Sequence, residues 1–253
     1  MSKIINLNEG GIKENIESIN KRLILAYSML LFIFIGFIVF DFYISYITDP
    51  EFFIRPALFF VIIMFPFIIY SLTKLIKTKI YLNDFTKCPV YKRISEIHNL
   101  NNIPEFEKFD RIVTKEVNNN LLFNFKKSKI MGTESFIITY GLPVNSEFNV
   151  FDPSKLLLVV FNPVTISDLV IKPRSKAKTS HELILYFEDR AFLLFANTKK
   201  EGQEIADNLA NTYKVLQGNN LQLERFYEKD REKFIQSCRE QIENIYSSSS
   251  SNI

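Results

Sequence analysis

Tryptophan is absent from the 253-residue chain, and cysteine, histidine and glycine number only two, two and seven. Cys88 and Cys238 have no CxxC partner and no neighbouring histidine, so neither a zinc site nor a disulfide framework is indicated and both are read as free thiols. Two imidazoles leave few routes to histidine-based catalysis. His98 follows an amphipathic stretch, and His181 opens a strand beside Glu182, where consecutive side chains face opposite sides. Seven glycines leave little material for a phosphate-cradling loop, and neither a G-x-S-x-G elbow nor a zinc-protease helix occurs. The net charge of +3 comes from dispersed cations and leaves no nucleic-acid footprint. The expectation is a non-catalytic chain with no metal, no cofactor and no nucleic-acid partner.

What the chain has is apolar mass, with 25 Phe and 11 Tyr and a hydrophobic share of 47% alongside 23% charged residues. It is concentrated in two runs. Residues 23–40 (LILAYSMLLFIFIGFIVF) and 56–73 (PALFFVIIMFPFIIYSLT) are each uncharged over 18 positions, a helical rise of about 27 Å that nearly matches a hydrocarbon core. Both are apolar on every side, unlike the core helices of soluble proteins, which keep a polar face. Thr48-Asp49-Pro50-Glu51 supplies turn chemistry between them, so an antiparallel transmembrane hairpin over 23–73 is expected. Pro66, inside the second run, is expected to kink it.

Lys21 and Arg22 precede the first span and Lys74, Lys77 and Lys79 follow the second, whereas the connecting loop offers only Arg55. The positive-inside rule then places both termini in the cytoplasm of a multi-pass inner (plasma) membrane protein. Residues 74–93 hold six cations against Asp84 alone, either as that topology signal or as a contact to anionic headgroups, and Lys74, Lys77 and Lys79 are candidate lipid-binding residues. Asp41, near the outer end of the first span, is read either as part of an ion path or as a carboxylate that reaches headgroups or Arg55.

Residues 1–22 form an N-terminal segment in which Ile12, Ile16, Ile19 and Leu23 have a helical spacing that suits the membrane surface. Residues 74–129 read as a basic juxtamembrane and helical connector, in which Asn102 caps a helix carrying Phe106, Phe109, Val113 and Val117. From about Thr133 the period becomes two. Six short strands are expected, ESFIITY, SEFNVF, KLLLVVF, SDLVIK, HELILYF and AFLLFA, mostly antiparallel, with Glu188-Asp189-Arg190 turning the last pair. Thr198-Lys199-Lys200-Glu201 matches a capping box, so a helix with the stripe Ile205, Leu209, Tyr213 and Leu216 should follow and end at Gly218. Residues 218–246 form a charge-dense amphipathic helix whose Ile235, Cys238, Ile242 and Ile245 offer a short seam for self-association, and 247–253 read as a disordered serine-rich tail.

MGTESFIITYG as an opening strand, LLLVVF as a central one and HELILYFEDRAFLLFANTKKEGQEIADNL as a terminal hairpin and helix resemble the pleckstrin-homology-like domains of bacterial membrane-anchored, two-span proteins. The resemblance implies an α+β architecture: the helical hairpin, then an antiparallel barrel or sandwich over 130–217 with its C-terminal helix as a cap. It also implies a module that binds lipids or protein segments and does not catalyse. Lys172-Pro173-Arg174-Ser175-Lys176-Ala177-Lys178 puts four cations at every second position of a loop. An extended loop would set Lys172, Arg174, Lys176 and Lys178 on one side, where they either bind a phosphate or anionic headgroups or remain solvated.

The leading expectation is therefore a binding or scaffold module at the inner leaflet, with the bilayer and its anionic headgroups as partners. The alternative is an accessory subunit of a transport or envelope complex, docking on a membrane protein or on a second copy through Gly36 and other small residues of the hairpin.

Overall fold

The computed structural model describes residues 11–48, 54–140, 148–166, 178–218 and 222–250. It is a mixed α+β chain whose two compact units divide within one helix, between Lys115 and Glu116.

The first unit is helical. Helix α1 runs unbroken over Ile12–Thr48 and α2 over Ile54–Asn83, with Pro66 inside a continuous helix. Two helices, Ile12–Thr48 and Leu58–Asn83, are long and apolar enough to cross a membrane. They pack side by side, with the rings of Phe34 and Phe67 5.9 Å apart. Along the apolar run of α1 the half-buried positions from Leu31 onward are Leu31, Phe34, Ile38, Asp41 and Ser45, spaced alternately by three and four, and on α2 Val61, Met64 and Ile68 are half-buried while Ser71 and Thr78 are buried. That is the seam of an antiparallel pair. The flanks are bare apolar surface, and Phe32 is 80% exposed.

The N-terminal stripe does not form a separate surface helix. Ile12, Ile16 and Asn20 are buried at a spacing of four, on the helix that continues into the first apolar run, and Ile19 is only half-buried. A 3-10 turn (Phe85–Lys87) and helices α3 (Pro89–His98) and α4 (Ile103–Asn119) complete the connector. Asn102 caps α4 as its residue type dictates, accepting from the Glu105 amide at 2.9 Å. The rings of Phe85, Tyr91 and Phe106 meet pairwise at 5.0–5.6 Å and centre this core.

The second unit holds eight strands in two separate sheets and no closed barrel among the described residues. Strands β1 (Leu121–Phe125), β2 (Ile130–Thr133), β3 (Ile137–Tyr140) and β4 (Phe148–Phe151) form an antiparallel meander. Strands β5 (Leu156–Ile166), β6 (Lys178–Phe187) and β7 (Ala191–Phe195) form a second one, to which β8 (Leu216–Gly218) adds in parallel beside β5. Two strands lie upstream of the expected set, because 121–125 pairs with 130–133 across a lysine-rich turn. KLLLVVF and the following NPVTI make one long strand, and SDLVIK lies outside the described residues.

Helix α5 (Lys199–Tyr213) begins at the expected Thr198 cap, where Thr198 Oγ accepts from the Glu201 amide at 3.1 Å. It ends at Tyr213 and not at Gly218: Lys214 takes the left-handed conformation (φ 54°), which frees Leu216–Gly218 to enter the sheet. Helices α6 (Gln222–Lys229) and α7 (Arg231–Ser250) follow, so the helix reaches into the serine-rich tail expected to be disordered.

Alternation along the second sheet sorts its two faces. Val159 pairs with Leu185 and Phe161 with Leu183, and this face receives α5, since a Cβ on Gly202 would lie 2.2 Å from the Phe161 ring. The first sheet adds Phe151, stacked on Phe187 at 4.7 Å. On the opposite face Leu158, Val160 and Tyr186 form one buried cluster with Tyr227, Phe234 and Cys238 of α6 and α7. Of the seam offered for self-association, Cys238 and Ile235 pack against the chain's own sheet, whereas Ile242 is half-buried and Ile245 is 51% exposed.

Candidate functional site

Among the described residues, polar and charged side chains gather at three places. The first is the hairpin seam, where polar groups interrupt the apolar stripe. Thr78 satisfies its hydroxyl by donating to the Lys74 carbonyl at 2.8 Å. Asn20 Nδ2, Asp41 Oδ2 and Ser71 Oγ are buried without a hydrogen-bond partner among the described residues. Asp41 thus lies on the side of α1 that faces α2; the Arg55 side chain, its expected partner, lies outside the described residues. Gly36 lies on the exposed side, with open space where a Cβ would be.

The second place is the start of α1. The Asp110 carboxylate of α4 caps that helix end-on: Oδ1 accepts from the Ile12 amide at 2.6 Å and Oδ2 from the Lys13 amide at 3.0 Å, while Thr114 donates to Oδ1 at 3.3 Å. A helix N-terminus presents unpaired amides and partial positive charge, so a carboxylate is the side chain that suits it. Burial nevertheless dominates and pushes the Asp110 carboxyl up from its ordinary value, against the hydrogen bonds that pull it down. Beside it, Lys13 Nζ bonds Glu107 at 2.6 Å and holds that carboxyl below its usual range. No local pattern announces this clamp, because its two halves are 98 residues apart in sequence.

The third is a junction in the β-unit. The buried Ser128 hydroxyl, in the turn between β1 and β2, accepts from the Asn197 amide at 3.1 Å. This fastens the turn Lys126-Lys127-Ser128-Lys129 to the strand-to-helix junction Asn197-Thr198-Lys199-Lys200.

Of the candidate lipid-binding residues, Lys74, Lys77 and Lys79 lie along the last part of α2, with Lys77 and Lys79 exposed and Lys74 Nζ 5.5 Å from the Tyr70 ring centroid. Lys172, Arg174 and Lys176 lie outside the described residues, and Lys178 opens β6 opposite Ile166. His98 ends α3 with its ring 4.3 Å from that of Phe109. His181 and Glu182 follow one another on β6, and His181 Nδ1 is buried without a hydrogen-bond partner among the described residues. Cys88 and Cys238 are free and buried, and desolvation pushes the Cys238 thiol up to about 11. Among the described residues, no group of three or more His, Cys, Asp or Glu is placed to hold a metal ion.

Comparison of the chain with protein-family models, curated proteins and solved structures returns no match.

Proposed function

We propose that this chain is a two-span membrane protein whose β-unit is a pleckstrin-homology-like binding or scaffold module working at the inner leaflet of a bacterial plasma membrane. The observation that carries the proposal is the pairing, in one chain, of two bilayer-length apolar helices with an independent two-sheet unit. The strand order supports the fold assignment: a four-strand antiparallel meander, a three-strand one, then a capped helix lying on the second sheet. Strand β8 and helices α6 and α7 are additions to that plan. Lys21 and Arg22 before the first span and Lys77 and Lys79 beyond the second support cytoplasmic termini, which would leave the β-unit beside an anionic leaflet.

The test is amide hydrogen exchange on the full chain in nanodiscs of phosphatidylcholine alone and of phosphatidylcholine with phosphatidylglycerol. Slower exchange somewhere in the β-unit on the anionic discs, abolished by salt, is the expected result. Identical exchange on both removes the leaflet-binding reading. A stoichiometric membrane partner retained through mild-detergent purification would favour the accessory-subunit reading, for which the exposed Gly36 flank is the available surface.

A further inference from the structure

Two segments of the β-unit contain no acid at all: Leu121–Thr133 and Ala191–Lys200. The Ser128–Asn197 hydrogen bond ties the two segments together, with Lys126, Lys127 and Lys129 flanking Ser128 on one and Lys199 and Lys200 following Asn197 on the other. Four of the five are exposed and Lys129 is half-buried. None is in an ion pair among the described residues, although the same unit pairs Arg190 with Asp189 and Arg239 with Glu188. Lys129 is held by its backbone, in the left-handed conformation at φ 57° with its carbonyl accepting from the Tyr140 amide at 3.0 Å. Glu201, on the first turn of α5, is the nearest acid in sequence. The cluster also lies at the N-terminal end of α5, whose dipole adds to the positive potential.

The strand that leads into this junction carries bare apolar surface. Strand β7 is the edge of its sheet, and its alternate residues Leu193 and Phe195 are 47% and 58% exposed. Their register with Ile184 and Glu182 puts them on the face that α7 covers further along, so the covering stops short of β7. Phe195 is two residues from Asn197, and no acid intervenes. A small anion would use the charges without needing the exposed aromatic. A bilayer surface uses both, cations at the phosphate level and apolar side chains in the interface beneath it.

We infer that Lys126, Lys127, Lys129, Lys199 and Lys200, together with Leu193 and Phe195, form the surface by which the β-unit docks onto an anionic bilayer. This assigns a site to the leaflet-binding reading and rests on it. It names a junction distinct from the 172–178 loop, of which residues 172–177 lie outside the described residues.

The absence of tryptophan makes the test direct, since Phe195→Trp introduces the only indole in the chain. The full-length variant is placed in nanodiscs whose lipids carry brominated acyl chains. Its emission should be quenched and blue-shifted when phosphatidylglycerol is present and not on phosphatidylcholine alone. Quenching should vanish when salt shortens the screening length from about 10 Å to about 3 Å. It should vanish equally when the five lysines become Gln. Leu193→Trp gives the same readout should the first variant fold poorly. Emission that stays unquenched on anionic discs overturns the inference, as does quenching that survives the loss of the lysines. Inorganic phosphate that shifts the emission on zwitterionic discs, without bromine quenching, points to a small-anion site and also overturns it. If hydrogen exchange responds to lipid charge while the indole stays unquenched, this surface is wrong and leaflet binding stands. If neither responds, both fall.

Discussion

The Asp110 carboxylate and the Ile12 amide, 98 residues apart, meet at 2.6 Å, and through that bond α4 takes hold of the end of the first membrane-length helix. Gly11 makes room for it, since a Cβ there would lie 2.6 Å from one carboxylate oxygen. The oxygen belongs to a side chain, but one held by two amides and a hydroxyl, so it cannot swing aside freely.

Asp110→Ala removes the acceptor of the Ile12 and Lys13 amides, at a cost of about 1–3 kcal/mol for the buried Ile12 amide and less for the part-buried Lys13 amide. Gly11→Ala should weaken the same contact by overpacking, by about 1–3 kcal/mol. Both are read by hydrogen exchange of the amides in the first turns of α1, which should quicken while the β-unit is unaffected. Unchanged exchange at Ile12 and Lys13 in Asp110→Ala would show that the clamp carries no stability.

The same residue sets a pH dependence of definite sign. Unfolded, the Asp110 carboxyl titrates near its ordinary 3.8; folded, burial raises it. Between those two values the native chain keeps a proton that the unfolded chain has released. Stability therefore falls as pH rises through that window and is level on either side of it. Asp110→Asn should flatten this part of the profile, measured by denaturant unfolding of the helical unit from about pH 3.5 to pH 7. A profile identical in wild type and variant would assign the slope to other carboxylates.

In the β-unit α5 approaches β5 closely at Gly202. A methyl group on Gly202 would meet the Phe161 ring at 2.2 Å, too close to absorb without moving the helix or the ring. Gly202→Ala should cost about 1–3 kcal/mol in spite of alanine's better helix propensity. Thermal unfolding followed by circular dichroism checks this, and a variant as stable as wild type or more so would mean that α5 is not seated on Phe161.

Much of the architecture was legible because its causes are local. Uninterrupted apolar runs mark the two long helices, the Thr198 hydroxyl and Asn102 amide mark helix starts, and Glu188-Asp189-Arg190 marks a hairpin. What escaped has non-local causes. Strands β1 and β2 hide behind Lys126-Lys127-Ser128-Lys129, whose charge reads as a connector until pairing with β3 buries Ile130 and Met131. The end of α5 escaped because Lys214 and not glycine takes the left-handed turn, and β8 because a three-residue parallel strand has no pattern of its own. The Asp110 clamp and the lysine junction depend on contacts across 98 and 69 residues, which periodicity cannot reveal.

The most direct test of the whole account is the partition of the native full-length chain after cell membranes are washed with alkaline carbonate, which strips peripheral proteins. If α1 and α2 cross the bilayer, the chain stays in the membrane pellet and leaves only with detergent. Recovery of the intact chain in the carbonate supernatant would contradict the account.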